Sequence, residues 1–163
     1  MLYFPEICLA GGCFWGTEHF IKKIYGVVST ETGFANGNTD HPSYKEVYTD
    51  TTGYAECVHV QYDNTLASLR FLTEMFFRAI DPTSLNRQGE DEGTRYRTGI
   101  YFVSQSQVEP IESVVAEVEA ALGAKGGASA GEKAVDADLT LPGRWWGLGG
   151  KHPLSRVIEE TAA

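Results

Sequence analysis

Gly11-Gly12-Cys13-Phe14-Trp15-Gly16 is the stretch of this sequence best suited to chemistry. A strand ends at the paired glycines, the backbone turns tightly, and Cys13 falls at the first turn of a helix. Free backbone N–H groups and the positive end of the helix dipole stabilise a thiolate in that position. Phe14 and Trp15 place an apolar wall beside it. A plain buried cysteine among aromatics fits the same composition, since free cysteine is among the most buried residue types. The helix-start position favours the nucleophile. Such a thiolate needs an acid and hydrogen-bond donors aimed at the charge its attack develops. Glu56 opens a strand shortly after Gly53; taken alone it reads as an exposed charge at a strand end, though its carboxyl can also point into a pocket from there.

Nothing else in the composition competes with this thiol. Cys8, Cys13 and Cys57 are odd in number and too sparse for a disulfide framework. His19, His41, His59 and His152 are scattered, without the short ligand spacing of a zinc site. Neither a metal nor an organic cofactor is expected. The 163 residues, 42% hydrophobic and 21% charged, suit one domain with its own core. Thirteen basic residues against 22 acidic ones give a net charge of −9, which repels phosphate backbones and argues against nucleic acid. No run reaches the roughly 18 apolar residues of a membrane helix. Pro5-Glu6 interrupt the opening where a secretory signal would be apolar. The expectation is a cytoplasmic monomer.

The elements that must position these residues follow from periodicity. Glu6 to Ala10 predicts a strand, and Phe14 to about Ile24 a helix with Phe14, Phe20, Ile21 and Ile24 on its apolar face. Val27 to Phe34, Tyr44 to Tyr48, Glu56 to Tyr62 and Gly99 to Ser104 read as strands. In the third, Cys57, His59 and Gln61 take one face and Glu56, Val58, Val60 and Tyr62 the other. Leu66, Leu69, Leu72, Met75, Phe76 and Ile80 mark a helix that stops before Asp81-Pro82. A polar loop of unusual length, about Asp81 to Thr98, reads as functional. Ser106-Gln107-Val108-Glu109 has the pattern of a capping box, opening a helix with Val108, Ile111, Val115, Val118 and Leu122 inward. This order is the split βαβ arrangement of a ferredoxin-like two-layer α+β sandwich. Residues 1–122 are expected to form the catalytic domain. Residues 123–163, opening on a glycine- and alanine-rich run, are expected to be an irregular extension.

Four further segments join the cysteine stretch in a fixed order. They are Gly33-Phe34-Ala35-Asn36-Gly37, His41-Pro42-Ser43-Tyr44-Lys45-Glu46-Val47, Thr52-Gly53-Tyr54-Ala55-Glu56, and the run from Asp81 to Arg97. Over about residues 6 to 103 this set resembles the A-type peptide methionine sulfoxide reductases. The resemblance implies that Cys13 is the nucleophile and that Phe14 and Trp15 hold the methyl group of the sulfoxide. It implies that Glu56 protonates the sulfoxide oxygen, that Tyr44 and Tyr96 hydrogen-bond it, and that Asp91 helps organise the cysteine and a bound water. The implied reaction reduces the S epimer of methionine sulfoxide, free or in oxidised proteins and peptides. It leaves a sulfenic acid on Cys13, which thioredoxin or a small thiol then reduces.

The chain departs from the family after the last core helix. The phenylalanine-tyrosine pair, the tyrosine-histidine-glutamine run and the C-terminal resolving cysteines common there are missing, and Cys8 and Cys57 read as small core residues. Two other readings therefore stand beside the reductase. One is a non-catalytic protein of the same fold with an incomplete site. The other is a cysteine acyl-transfer enzyme, which would want a histidine base beside Cys13; His19 is a poor candidate.

Overall fold

The sequence Glu6-Ile7-Cys8-Leu9-Ala10-Gly11 is buried at every residue, because it forms an interior strand of a sheet covered on both faces. The computed structural model describes residues 4–39, 42–126, 138–140, 145–147 and 150–151. This strand, β1 (Glu6–Gly11), lies between β3 (Ala55–Tyr62) and β6 (Thr98–Phe102) and is antiparallel to both. β2 (Val27–Ala35) flanks β3, again antiparallel. Helix α1 (Phe14–Ile21) connects β1 to β2, and α3 (Leu69–Ala79) lies between β3 and β6. The fold is mixed α/β on an antiparallel sheet, with β6-β1-β3-β2 at its centre.

Alternation along the strands divides the interior in two. Ile7, Leu9, Val58, Val60 and Ile100 meet Ile21 of α1, Leu72 and Phe76 of α3, and Ile111 and Val114 of α4 (Val108–Gly126). The other face is lined by small residues, Cys8, Ala10, Ala35, Ala55 and Cys57, with Tyr101 and Val103. Glu56 alternates with Cys57 and so shares the helix-covered side with Val58 and Val60, as the expected alternation requires. Arg70 of α3 ties the two long helices by donating to Ser113 at 2.7 Å and pairing with Glu117.

Four expectations change. Tyr44 to Tyr48 is a helix, α2 (Tyr44–Tyr48), and not a strand. Ser43 caps it, its hydroxyl accepting from Glu46 N at 3.1 Å while the Glu46 carboxylate accepts from Ser43 N at 3.4 Å. That reciprocal box satisfies two orphan donors and outweighs the strand preference of Tyr and Val. The Asp81–Thr98 stretch has structure of its own, the hairpin β4 (Arg87–Gln88) and β5 (Asp91–Glu92), then a 3-10 turn Thr94–Tyr96. The box expected at Ser106 gives way to a 3-10 turn, Gln105–Gln107, before α4. There the buried Gln107 accepts from Val103 N and donates to Glu6 O, both at 2.8 Å, joining the ends of β6 and β1.

The fourth change concerns the irregular extension. α4 runs on to Gly126, and among the described residues three short strands follow. β7 (Asp138–Thr140) adds parallel to β6, β8 (Trp145–Gly147) pairs β2, and β9 (Gly150–Lys151) pairs β8. Open sheet edges accept such strands through their backbone alone, so side-chain periodicity gives no warning of them. His41, His152 and the remainder of 123–163 lie outside the described residues.

Candidate active site

Cys13 is the N-cap residue of α1, partly exposed, at the point where β1 ends. The turn before it depends on Gly12, whose φ of +86° is one that L side chains avoid. A Cβ there would also lie 2.6 Å from Cβ of Gln88, so glycine lets the β4–β5 hairpin close against the cysteine turn. Thr17 braces the first turn of α1 by donating to Gly11 O at 3.0 Å and Cys13 O at 3.1 Å.

Glu56 reaches this turn from β3. Its Oε1 accepts from Phe14 N at 3.1 Å, taking one of the unpaired N–H groups of the helix start. The residue is 1% exposed. Burial pushes its carboxyl up to about 7, against the Phe14 N–H and the Arg95 guanidinium, which pull it down; the Asp91 carboxylate adds to the rise. An acid that keeps its proton near neutrality is thus bonded to the residue next to a partly exposed thiol.

An aromatic wall surrounds the pair. Phe14, 1% exposed, meets Trp15 edge-on at 4.9 Å, Phe34 at 5.7 Å and Tyr44 at 6.1 Å. Trp15 is half exposed and forms the rim. Tyr44 stands on α2 and the buried Tyr96 on the 3-10 turn. Desolvation raises both phenols, and the Glu56 carboxylate raises each further. They are therefore neutral donors at ordinary pH. Cys13 also acts on Tyr44, and Asp91 on Tyr96. Asp91 is exposed on β5, and its charge reaches Glu56 and Tyr96.

The fold thus brings Cys13, Phe14, Trp15, Tyr44, Glu56, Tyr96 and Asp91 together from five elements. His19, the histidine weighed for the acyl-transfer reading, is exposed and contacts Lys23 at 2.9 Å. Sequence reasoning missed Phe34, Tyr48, Asp50 and Arg95. Tyr48 had a readable signal, the i,i+4 spacing from Tyr44, hidden by the strand assignment.

A family model described as peptide methionine sulfoxide reductase matches residues 5–125. The chain belongs to the peptide methionine sulfoxide reductase family. Its relatives in that family include the peptide methionine sulfoxide reductase MsrA of Clostridium perfringens (strain 13 / Type A). That enzyme is 54% identical over 106 residues, which are 65% of this chain and 68% of the relative. Methionine sulfoxide reductase A of Corynebacterium diphtheriae superposes with a TM-score of 0.80 at 28% identity, covering 97% of this chain and 75% of that one. Mxr1 from Saccharomyces cerevisiae, solved in complex with Trx2, gives a TM-score of 0.60 at 25% identity over 90% and 84% of the two chains.

Proposed function

We propose that this reductase acts on the S epimer of methionine sulfoxide, free or in oxidised proteins, with Cys13 as nucleophile. The observation that carries the reading is the Phe14 N–Glu56 Oε1 bond, which holds a buried, proton-retaining carboxyl beside the cysteine turn. A sulfoxide sulfur is a poor electrophile until its oxygen is protonated or strongly hydrogen-bonded. Glu56 delivers that proton while the Cys13 thiolate attacks sulfur, and the Tyr44 and Tyr96 phenols donate to the same oxygen. Phe14 and Trp15 receive the methyl group, and the Asp91 carboxylate helps order the thiol. In net terms one oxygen moves. The Cys13 thiol and the sulfoxide become a sulfenic acid and a thioether, the cysteine sulfur oxidised by two electrons and the substrate sulfur reduced by two. Two thiol groups of an external reductant then restore Cys13, giving a disulfide and water. The Mxr1–Trx2 complex supports thioredoxin in that role.

In this reading the strand order β6-β1-β3-β2 is the split βαβ of a ferredoxin-like sandwich. Residues 1–122 carry the catalytic unit, and 123–163 are appended to it. The test is turnover of peptides bearing each sulfoxide epimer with dithiothreitol as reductant. The S epimer is reduced and the R epimer is not. Cys13→Ser abolishes the reaction, while Cys8→Ser and Cys57→Ser keep most of it. Equal loss in all three variants, or comparable turnover of both epimers, overturns the reading.

A further inference from the structure

Tyr44 and Tyr96 belong to helices of five and three residues, far too short to hold a position unaided. What joins them is a charged clamp. Asp50, two residues beyond α2, adopts a left-handed φ of +59°, which aspartate enters more readily than most L residues. From there its carboxylate accepts from Arg95 N at 3.2 Å, Thr94 Oγ1 at 3.3 Å and Arg95 Nη1 at 2.6 Å. Gly93 leaves the room. A Cβ on it would lie 2.5 Å from Asp50 Oδ2 and 2.9 Å from Arg95 Nη1, at a φ of +139°. The Arg95 guanidinium, on a residue 8% exposed, lies over the Tyr48 ring at 4.1 Å and the Tyr96 ring at 4.4 Å. Tyr48 in turn stacks on Tyr44 at 6.1 Å.

We propose that Arg95 is the positioning residue of this site, setting the spacing of the Tyr44 and Tyr96 phenols through Asp50 and the Tyr48 ring. The inference rests on the reading of Cys13, Glu56 and the two phenols given above. A planar guanidinium suits the task, since it can fork to a carboxylate and lie flat on aromatic rings at once, which an ammonium cannot. Its charge has a second effect. Glu56 is faced by Phe14 N at the start of α1, Tyr44 on α2, Asp91 on β5, and Arg95 and Tyr96 on the 3-10 turn, with Cys13 acting on Tyr44. Arg95 is the cation in that set, so it holds the acid down against burial and Asp91. Phenol spacing and acid strength therefore depend on one side chain.

The experiment compares Arg95→Met, Arg95→Lys and Asp50→Asn with the parent chain. It measures kcat, KM and their pH dependence, thermal unfolding, and the Glu56 titration by carboxyl NMR without substrate. In Arg95→Met, kcat falls by up to about 100-fold and the Glu56 midpoint moves to higher pH. Arg95→Lys keeps the midpoint near that of the parent chain but still loses kcat. Asp50→Asn loses kcat while Arg95 remains charged. A folded Arg95→Met protein must show both changes; if either is missing, or unfolding accounts for the whole loss, the assignment fails. The NMR titration keeps the two levels apart. An alkaline limb in the rate that survives Glu56→Gln sinks the acid assignment, while the shift of Glu56 on loss of Arg95 is still read directly.

Discussion

At the scale of one residue, Glu56 sets function against stability. Its carboxyl titrates about 7 in the fold against 4.5 for an ordinary glutamate. Below the lower value both folded and unfolded chains hold the proton, and burial costs nothing in charge. Between the two values the folded chain binds more protons than the unfolded one, so stability falls as pH rises. Above about 7 the buried carboxylate carries the full penalty. Glu56→Gln keeps an acceptor for Phe14 N and removes the charge. It should leave stability nearly unchanged at pH 4.5 and raise it by up to roughly 3 kcal/mol at pH 8, as read by urea unfolding at the two pH values. The rate should fall by about 100-fold or more, and the decline of kcat/KM above pH 7 should disappear. An equal stability difference at both pH values would mean that the carboxyl is not held protonated.

Among the elements, legibility in the sequence tracked length and locality. β1, α1, β3 and α3 were readable because each is long enough to show a period, and the Gly-Gly-Cys turn announced where the thiol would stand. β7, β8 and β9 are two or three residues each, held by backbone pairing, and have no period to show. Most residues of the candidate site are readable through motifs. Arg95 is not, because its meaning arises from Asp50, 45 residues earlier. α2 was misread because Tyr-Lys-Glu-Val-Tyr alternates like a strand, while the deciding signal was the Ser43–Glu46 cap beside it. That cap gives a prediction. Ser43→Ala loses the bond to Glu46 N and should destabilise α2 by about 1 kcal/mol. Since α2 carries Tyr44, kcat/KM should drop severalfold while the global melting temperature moves by a few degrees or less. A full loss of stability with unchanged kcat/KM in the folded fraction would show that Tyr44 does not depend on this helix.

For the molecule as a whole, the sheet separates Cys13 from the other two thiols. Cys8 and Cys57 are 0% exposed and lie among alanines on the face turned away from Glu56 and the helices. Antiparallel pairing of β1 with β3 puts them on that face together, in hydrogen-bonding contact. Burial pushes the Cys8 thiol up, and the neighbouring Cys57 adds to the rise. A thiol kept protonated is a weak nucleophile, and reaching Cys13 would require the central strands to part. No cysteine follows Cys57 in this sequence. One equivalent of sulfoxide should therefore leave Cys13 as a sulfenic acid, without an internal disulfide, until an external thiol attacks it. Held in that state, Cys13 is open to irreversible overoxidation, so excess peroxide should inactivate this chain faster than a relative with a resolving pair. Mass spectrometry after a single turnover, with dimedone as the trap, decides the point. A dimedone adduct on Cys13 is the expected product, and a Cys13–Cys57 or Cys13–Cys8 bridge formed at the catalytic rate would show that the sheet opens during the reaction.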